Sequence, residues 1–390
     1  MAAPIRGVMT SGAQTTSAVT DVSAERVFGA ARIVISASLS FPSADHSPAT
    51  EALLGFFSRA NELDVCEVSF ADAVAPIRSL FGRRSPASTG QPGSFFVSVP
   101  SDPAIRGAFG AVPASTLGLP VFAHHHSDVY LNSASNQLRL FRRMCHPAIE
   151  VVPSPQLAEL AESTRTGRIL VVDNACLMDE ADCAELRSSP APVVGDSRPI
   201  IVGYLGSLTV EHGALDTIEA FARLADSGLA IELHIAGSMV DLEVSAALLE
   251  VSGRHPHRVR HSEYPVEADQ RCAWFNDIDI FVLPTTDRTD AQPIAIYEAA
   301  AAGCAVLAAS IGAVPEQLES VGGYLMNSVE RLDSQIKRVM SMNAGIAGIR
   351  ATREQRMRKF TSHREKCLPG AAELLRLLID PSQLESAINL

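Results

Sequence analysis

Lysine is nearly missing from this 390-residue chain: Lys337, Lys359 and Lys366 are the only three among 32 basic residues. Outside that C-terminal stretch, any phosphate must be met by arginine, histidine or backbone amides. Positive charge is short altogether. The formal net charge of −12 argues against a nucleic-acid binder, whose footprint is a basic face. The seven cysteines (66, 145, 176, 183, 272, 304 and 367) are odd in number and contain no CxxC pair. Several lie in apolar runs, so buried free thiols in a reducing compartment are expected rather than a disulfide framework or a structural zinc site. No clean membrane span is present either. Ile294 to Val314 holds one charged side chain, Glu298, but Gly303 breaks the run and Pro293 precedes it. It reads as a helix, a tight turn and a buried strand. Met1 to about Val27 is rich in Ala, Ser and Thr without the apolar core of a secretory signal. Residues 1–28 are expected to be a disordered tail, and the chain to be cytoplasmic.

What is there is a well-filled globular composition, 47% hydrophobic against 19% charged, on a chain long enough for two cores. Short apolar runs alternate with amphipathic stretches. Strands are predicted at Ala31–Ala37, Val65–Phe70, Phe95–Val99, Pro120–Ala123, Ile149–Val152 and Arg168–Val172, with helices at Ala49–Leu63 and around Ser133–Met144. Ser188–Pro199 is rich in proline and small polar residues and reads as a linker. The alternation then restarts: strand Ile200–Leu205, helix Gly213–Asp226, strand Ile231–Ala236, helix Val240–Gly253, helix Glu267–Phe275, and strands Ile278–Leu283 and Ala305–Ala309. Ala371–Ile379 is helical with one apolar face. This is the pattern of parallel α/β sheets. Two Rossmann-like domains facing a cleft follow, over 29–187 and 200–365, with a helical segment at 366–390.

One unit stands out for its chemistry. A strand runs into Asp290-Ala-Gln-Pro-Ile-Ala-Ile-Tyr-Glu298, where Pro293 suits the first helical position because its missing N–H costs nothing there. The amides of Ile294, Ala295 and Ile296 are then open to an anion, with Gln292 beside them and a carboxylate on either side. A carboxylate also suits a vicinal diol, accepting two charge-assisted hydrogen bonds. The plain alternative is a loop aspartate and a glutamate that only solubilises its helix. Asp277-Ile-Asp279, by contrast, sits at the start of a buried strand and reads as strand-edge chemistry rather than a metal motif.

Gly203-Tyr-Leu-Gly206 with His212-Gly213 after it, Ile235-Ala-Gly237, Phe281-Val-Leu-Pro284, Asp290…Glu298-Ala-Ala-Ala-Ala-Gly303 and Ile311-Gly-Ala-Val-Pro-Glu316 occur in that order. Over about residues 200 to 345 the chain therefore resembles family 4 glycosyltransferases, retaining enzymes of the GT-B fold. The resemblance implies a nucleoside-diphosphate sugar as donor, Glu298 on the ribose hydroxyls, Asp290 on the transferred sugar, and no metal cofactor. It implies transfer to an acceptor hydroxyl with front-face attack, the acceptor being a glycan, a lipid-linked molecule or a small metabolite. The chain departs from the pattern where the family places arginine and lysine on the diphosphate: Ser207 follows Gly206, and His212 stands five residues on. Arg288 and His212 are the candidates to compensate.

The N-terminal half matches only in outline. In Leu119-Pro-Val-Phe-Ala-His124-His-His126, a strand ends in histidines that resemble a segment opening onto the cleft. His126 is then expected against donor sugar or acceptor with His124 beside it, a surface turn or a metal-scavenging patch being the alternative. Asn174, after Val171-Val-Asp, resembles an asparagine-bearing strand end on the acceptor side, or is an ordinary turn residue. Ser43 and His46 stand where a glycine pair is usual and are further acceptor-side candidates. Leu138-Arg-Leu-Phe-Arg-Arg143 forms a basic-apolar helix, either a solvated face or a peripheral contact with the inner face of a membrane.

Overall fold

The computed structural model describes residues 32–38, 56, 63–69, 94–99, 120–125, 142–143, 146–162, 168–178, 198–263, 268–288, 291–327 and 331–379. Asp290, His126, Ser43, His46 and most of the expected linker lie outside them, as do nearly all of the two helices expected at Ala49–Leu63 and Ser133–Met144. The N-terminal half contains β1 (Arg32–Ser38), β2 (Leu63–Ser69), β3 (Ser94–Val99), β4 (Val121–His125), β5 (Ile149–Val152), α1 (Pro155–Glu162) and β6 (Arg168–Val171). All strand pairs are parallel, in the order β2-β1-β3-β4-β5-β6.

The second sheet comprises β7 (Ile200–Leu205), β8 (Ile231–Ala236), β9 (Val259–Ser262), β10 (Ile280–Leu283), β11 (Ala305–Ala308) and β12 (Tyr324–Leu325). It is also wholly parallel, ordered β12-β11-β10-β7-β8-β9. Counted from β7, this is the doubly wound order, and its direction reverses between β7 and β10. Around it lie α2 (Ala214–Asp226), α3 (Leu242–Arg254), α4 (Ala268–Asp277), α5 (Ile294–Ala301), α6 (Val314–Val321), α7 (Leu332–Met342) and α8 (Gly345–Ala351). The last helix, α9, spans Arg353–Ile379.

Parallel strands covered on both faces need apolar residues at every position, and β7, β10 and β11 are buried throughout. Alternate residues of β10 feed different cores. Phe281 and Leu283 pack with Phe275, Ile296 and Val306, while Ile280 and Val282 pack with Tyr204, Ile218 and Phe221. The apolar run beginning at Ile294 is α5, a turn and β11, and no helix among the described residues is long and apolar enough to cross a membrane.

Asp279 is the anchor beneath this sheet. Its carboxylate accepts from Arg198 at 3.0 and 3.1 Å, from Arg350 Nε and Nη2 at 3.1 Å each, and from the amide of Ile201 at 3.0 Å. With those bonds filled it is a structural ion pair, as the strand-edge reading expects.

Helix α9 joins the halves. It starts against the second sheet, where Arg353 donates to the carbonyls of Phe275 and Ile278. It continues unbroken past residue 365 and ends on the first sheet. Ala371, Leu374, Leu377 and Leu378 are buried there against Phe122, Ile149, Val151, Leu170 and Val172. Each of those leucines contributes roughly 2 kcal/mol by burial.

Candidate functional site

The crevice at the switch point is built from the loops that follow β7 and β10. The Tyr204 phenol donates to the carbonyls of Ser207 at 2.8 Å and His212 at 3.3 Å, folding the first loop over the strand end. Burial pushes that phenol well up, so it remains a neutral donor. Thr286 donates from its amide (2.9 Å) and hydroxyl (3.0 Å) to the carbonyl of Glu211, tying the second loop to the first. Gly213 precedes α2 with a φ of 82°, and a Cβ there would lie 2.6 Å from the Pro284 carbonyl oxygen. Only glycine lets α2 begin this close to β10.

His212 bridges the two loops. Its Nδ1 shares a 2.7 Å hydrogen bond with the Thr209 hydroxyl, and its Nε2 lies 3.2 Å from a carboxylate oxygen of Asp287. Both ring nitrogens are thus engaged within the protein. Arg288 is exposed next to Asp287.

Opposite them, α5 points its start at the crevice. Pro293 is the cap rather than the first helical residue, with φ −60° and ψ 125°. The consequence is unchanged, since it carries no N–H. The amide of Ile296 turns back to the Pro293 carbonyl at 3.3 Å, which removes it from the expected set of three. Among the described residues, the amides of Ile294 and Ala295 make no hydrogen bond. Glu298, one turn further, meets Arg271 Nε of α4 at 3.1 Å. Sequence reading missed Arg271 because 27 positions separate it from its partner; only the packing of α4 beside α5 joins them.

Gln292 and Asn174 take a different role from the one expected of them. The Asn174 amide donates to Gln292 Oε1 at 2.8 Å, its side-chain nitrogen donates to the Gln292 carbonyl at 2.8 Å, and Gln292 Nε2 donates to Asp173 at 3.1 Å. Both residues are buried, at 1% and 2% exposure. They link the end of β6 to the start of α5, while the Asn174 side-chain oxygen has no hydrogen-bond partner among the described residues.

In the first sheet, His124 and His125 close β4, and both are fully buried. His124 therefore belongs to the interior of the sheet rather than to an open crevice wall. His125 Nε2 lies 2.9 Å from Glu150, which also accepts from Arg142 Nε (2.8 Å) and Nη2 (2.6 Å). Burial alone would raise the Glu150 carboxyl; His125 and Arg142 outweigh it and hold it down at about 2. Arg142 is thereby a buried ion-pair partner, 2% exposed, and is not part of any membrane-facing surface.

The family model of glycosyl transferases group 1 matches residues 199–342. A relative described as "Putative colanic acid biosynthesis glycosyltransferase WcaL", from Escherichia coli (strain K12), is 26% identical over 148 residues, 34% of this chain and 34% of the relative. The match thus spans about a third of the curated relative's length. Among solved structures, Anabaena Alr3699/HepE in complex with UDP-glucose aligns with a TM-score of 0.58 at 14% identity, over 87% of this chain and 99% of that one. Sucrose-phosphate synthase from Thermosynechococcus elongatus aligns with a TM-score of 0.63 at 14% identity, over 89% of this chain and 99% of that one. At these identities the likeness shows the fold, two Rossmann-like domains of GT-B type.

Proposed function

We propose that this protein is a retaining glycosyltransferase of the family 4 type, moving a sugar from a nucleoside diphosphate to an acceptor hydroxyl in glycan or glycoconjugate assembly. The observation that supports this reading is at the start of α5, after β10: among the described residues the amides of Ile294 and Ala295 make no hydrogen bond, and Glu298 lies one turn further along the same helix. Those amides suit a diphosphate, and the carboxylate suits a ribose diol. Arg271 Nε pairs with Glu298 at 3.1 Å and holds its side chain in place. Asp290, at the other end of the same segment, is assigned to the transferred sugar.

In the reaction, the acceptor oxygen bonds to the anomeric carbon on the face from which the diphosphate departs. The C–O bond to the diphosphate breaks, and the acceptor proton passes to the leaving phosphate oxygen. No side chain becomes a nucleophile; positioning and charge stabilisation are the protein's contribution.

A panel of UDP-, GDP-, ADP- and TDP-sugars read by thermal shift tests the reading. UDP-glucose comes first because HepE was solved with it. A true donor at 100 times its Kd adds about 2.7 kcal/mol of stability. Glu298→Ala should abolish that shift, and Asp290→Asn should keep it while lowering turnover. A panel without any shift would refute the assignment.

One observation favours a second reading, a nucleotide-sugar-binding homologue without activity. Where the family places arginine and lysine, this chain has Ser207 and a histidine turned to Thr209 and Asp287. A donor-induced shift with neither transfer nor donor hydrolysis would select it.

A further inference from the structure

Exposed apolar surface is concentrated on one helix. Among the described residues eight large hydrophobic side chains are exposed, and five of them (Val210, Met239, Val240, Leu242 and Leu249) form one strip on α3 and the loops beside it. Leu242 is 88% exposed and Leu249 77%. The strip is continuous: Met239 bridges to Leu208, and the Val210 amide donates to the Asp241 carboxylate at 2.8 Å. With about 3.6 residues per turn, Leu242, Ala246, Leu249 and Gly253 share the face of α3 opposite the buried Val244, Leu248 and Val251. Gly253 has no explanation inside the chain. A Cβ there would meet nothing within 4 Å, and glycine within a helix weakens it.

We propose that this face is the interface of a homodimer, in which α3 packs antiparallel on α3 of a second copy about a two-fold axis. The order of large and small residues carries the register. An axis crossing α3 between positions 247 and 248 pairs Leu242 with Gly253 of the partner subunit and, at the same time, Leu249 with Ala246 of the partner subunit. Each leucine thus meets a small residue, which lets the helices approach to about 8 Å and gives Gly253 its reason. The charges agree with this register. The same axis brings Arg254 within about 3 Å, along the helix direction, of Glu243 of the partner subunit on the same flank. Arg254 already holds Glu250 at 2.6 Å and Asp226 at 2.9 Å, and its side chain is 44% exposed, so it stands at the rim of the contact.

A membrane suits this face less well. Helices that lie in a lipid surface surround their apolar face with lysine and arginine, whereas Glu243 and Glu250 flank this one and Arg254 is the only basic residue on α3. Apolar strips of this kind on a soluble chain mark interaction sites. One helix pair lies at the small end of specific interfaces, below about 1,200 Å², so the dimer should form in the micromolar range rather than be permanent. The inference does not rest on the donor-site reading.

Sedimentation equilibrium of the full chain, from sub-micromolar to several hundred micromolar, tests it. The native chain should pass from monomer to dimer. Positions 246 and 249 are exposed, so substitutions there leave the core intact. Leu249→Glu should stay monomeric throughout. Ala246→Leu sets leucine against leucine and should weaken the dimer about 10-fold or more through overpacking. Adding Leu249→Ala to it restores a large-on-small contact with the roles exchanged, and should return association to within about threefold of native. A native chain that is monomeric at every concentration overturns the proposal, as does a dimer indifferent to Leu249→Glu. Stronger association in Ala246→Leu, or no recovery in the double variant, would overturn it too, by showing a sticky face without this register.

Discussion

In the second sheet the buried carboxylate, Asp279, precedes β10 and lies at the end of the sheet away from the crevice, held by Arg198 and Arg350. In the first sheet the buried carboxylate, Glu150, lies inside β5 and reaches His125, the last residue of β4, at the end where α/β sheets bind ligands. Both sheets bury a carboxylate against arginine, but the C-terminal half keeps this structural charge clear of its crevice. The N-terminal half buries it inside the sheet, with one partner at the C-terminal end of β4. In one half the buried charge lies at the end of the sheet away from the ligand-binding side; in the other it reaches toward that side.

The largest effect should come from Asp279→Ala. It leaves Arg350, 4% exposed, without its charge partner, and removing one member of a buried pair costs about 3–5 kcal/mol. Urea denaturation would show this, with the crevice residues untouched; a loss below about 1 kcal/mol would undo the view of Asp279 as the sheet's anchor.

Glu150→Gln should come next, at roughly 3 kcal/mol at neutral pH. Because the folded carboxyl is held down at about 2 from an ordinary 4.5, its contribution is complete above pH 4.5 and is lost as the pH falls toward 2. The gap between native and variant should therefore close over that interval. A gap that stays constant with pH would show that packing, not charge, sets the cost.

The smallest effect on stability should come from His212→Ala. The side chain is 35% exposed, and solvent screens such pairs to less than about 1 kcal/mol. If its melting temperature falls further than that of Glu150→Gln, the C-terminal crevice is as structural as the buried N-terminal cluster, and the contrast between the halves collapses.

Legibility in the sequence followed burial. β7 is readable to the residue, because a strand covered on both faces admits little but apolar side chains; β8 is too, although it carries Glu232 and His234 among its apolar residues. β9 was missed: Val259-Arg-His-Ser262 is an edge strand with three exposed residues and no apolar pattern. The helix expected over Ala371–Ile379 is the end of a longer one, since α9 begins at Arg353 and passes through Pro369 and Gly370. A Cβ at Gly370 would lie 2.4 Å from the Val171 carbonyl oxygen, so packing against the end of β6 holds the helix there and also requires glycine. Glu298 is legible as a candidate, whereas Arg271 beside it is not, and neither is the hydrogen bonding between Gln292 and Asn174, 118 positions apart.

Local pattern alone determined the parallel α/β architecture and the position of the Asp290–Glu298 segment, because apolar periodicity and a proline-started helix are properties of neighbouring residues. Only the tertiary structure decided which polar side chains remain open to a ligand. His212 with Asp287, Asn174 with Gln292, His125 with Glu150 and Asp173 with His363 all join groups from different loops, strands or helices. A hydrogen bond is satisfied by whatever lies within about 3 Å of it, and that distance is set by packing rather than by order along the chain.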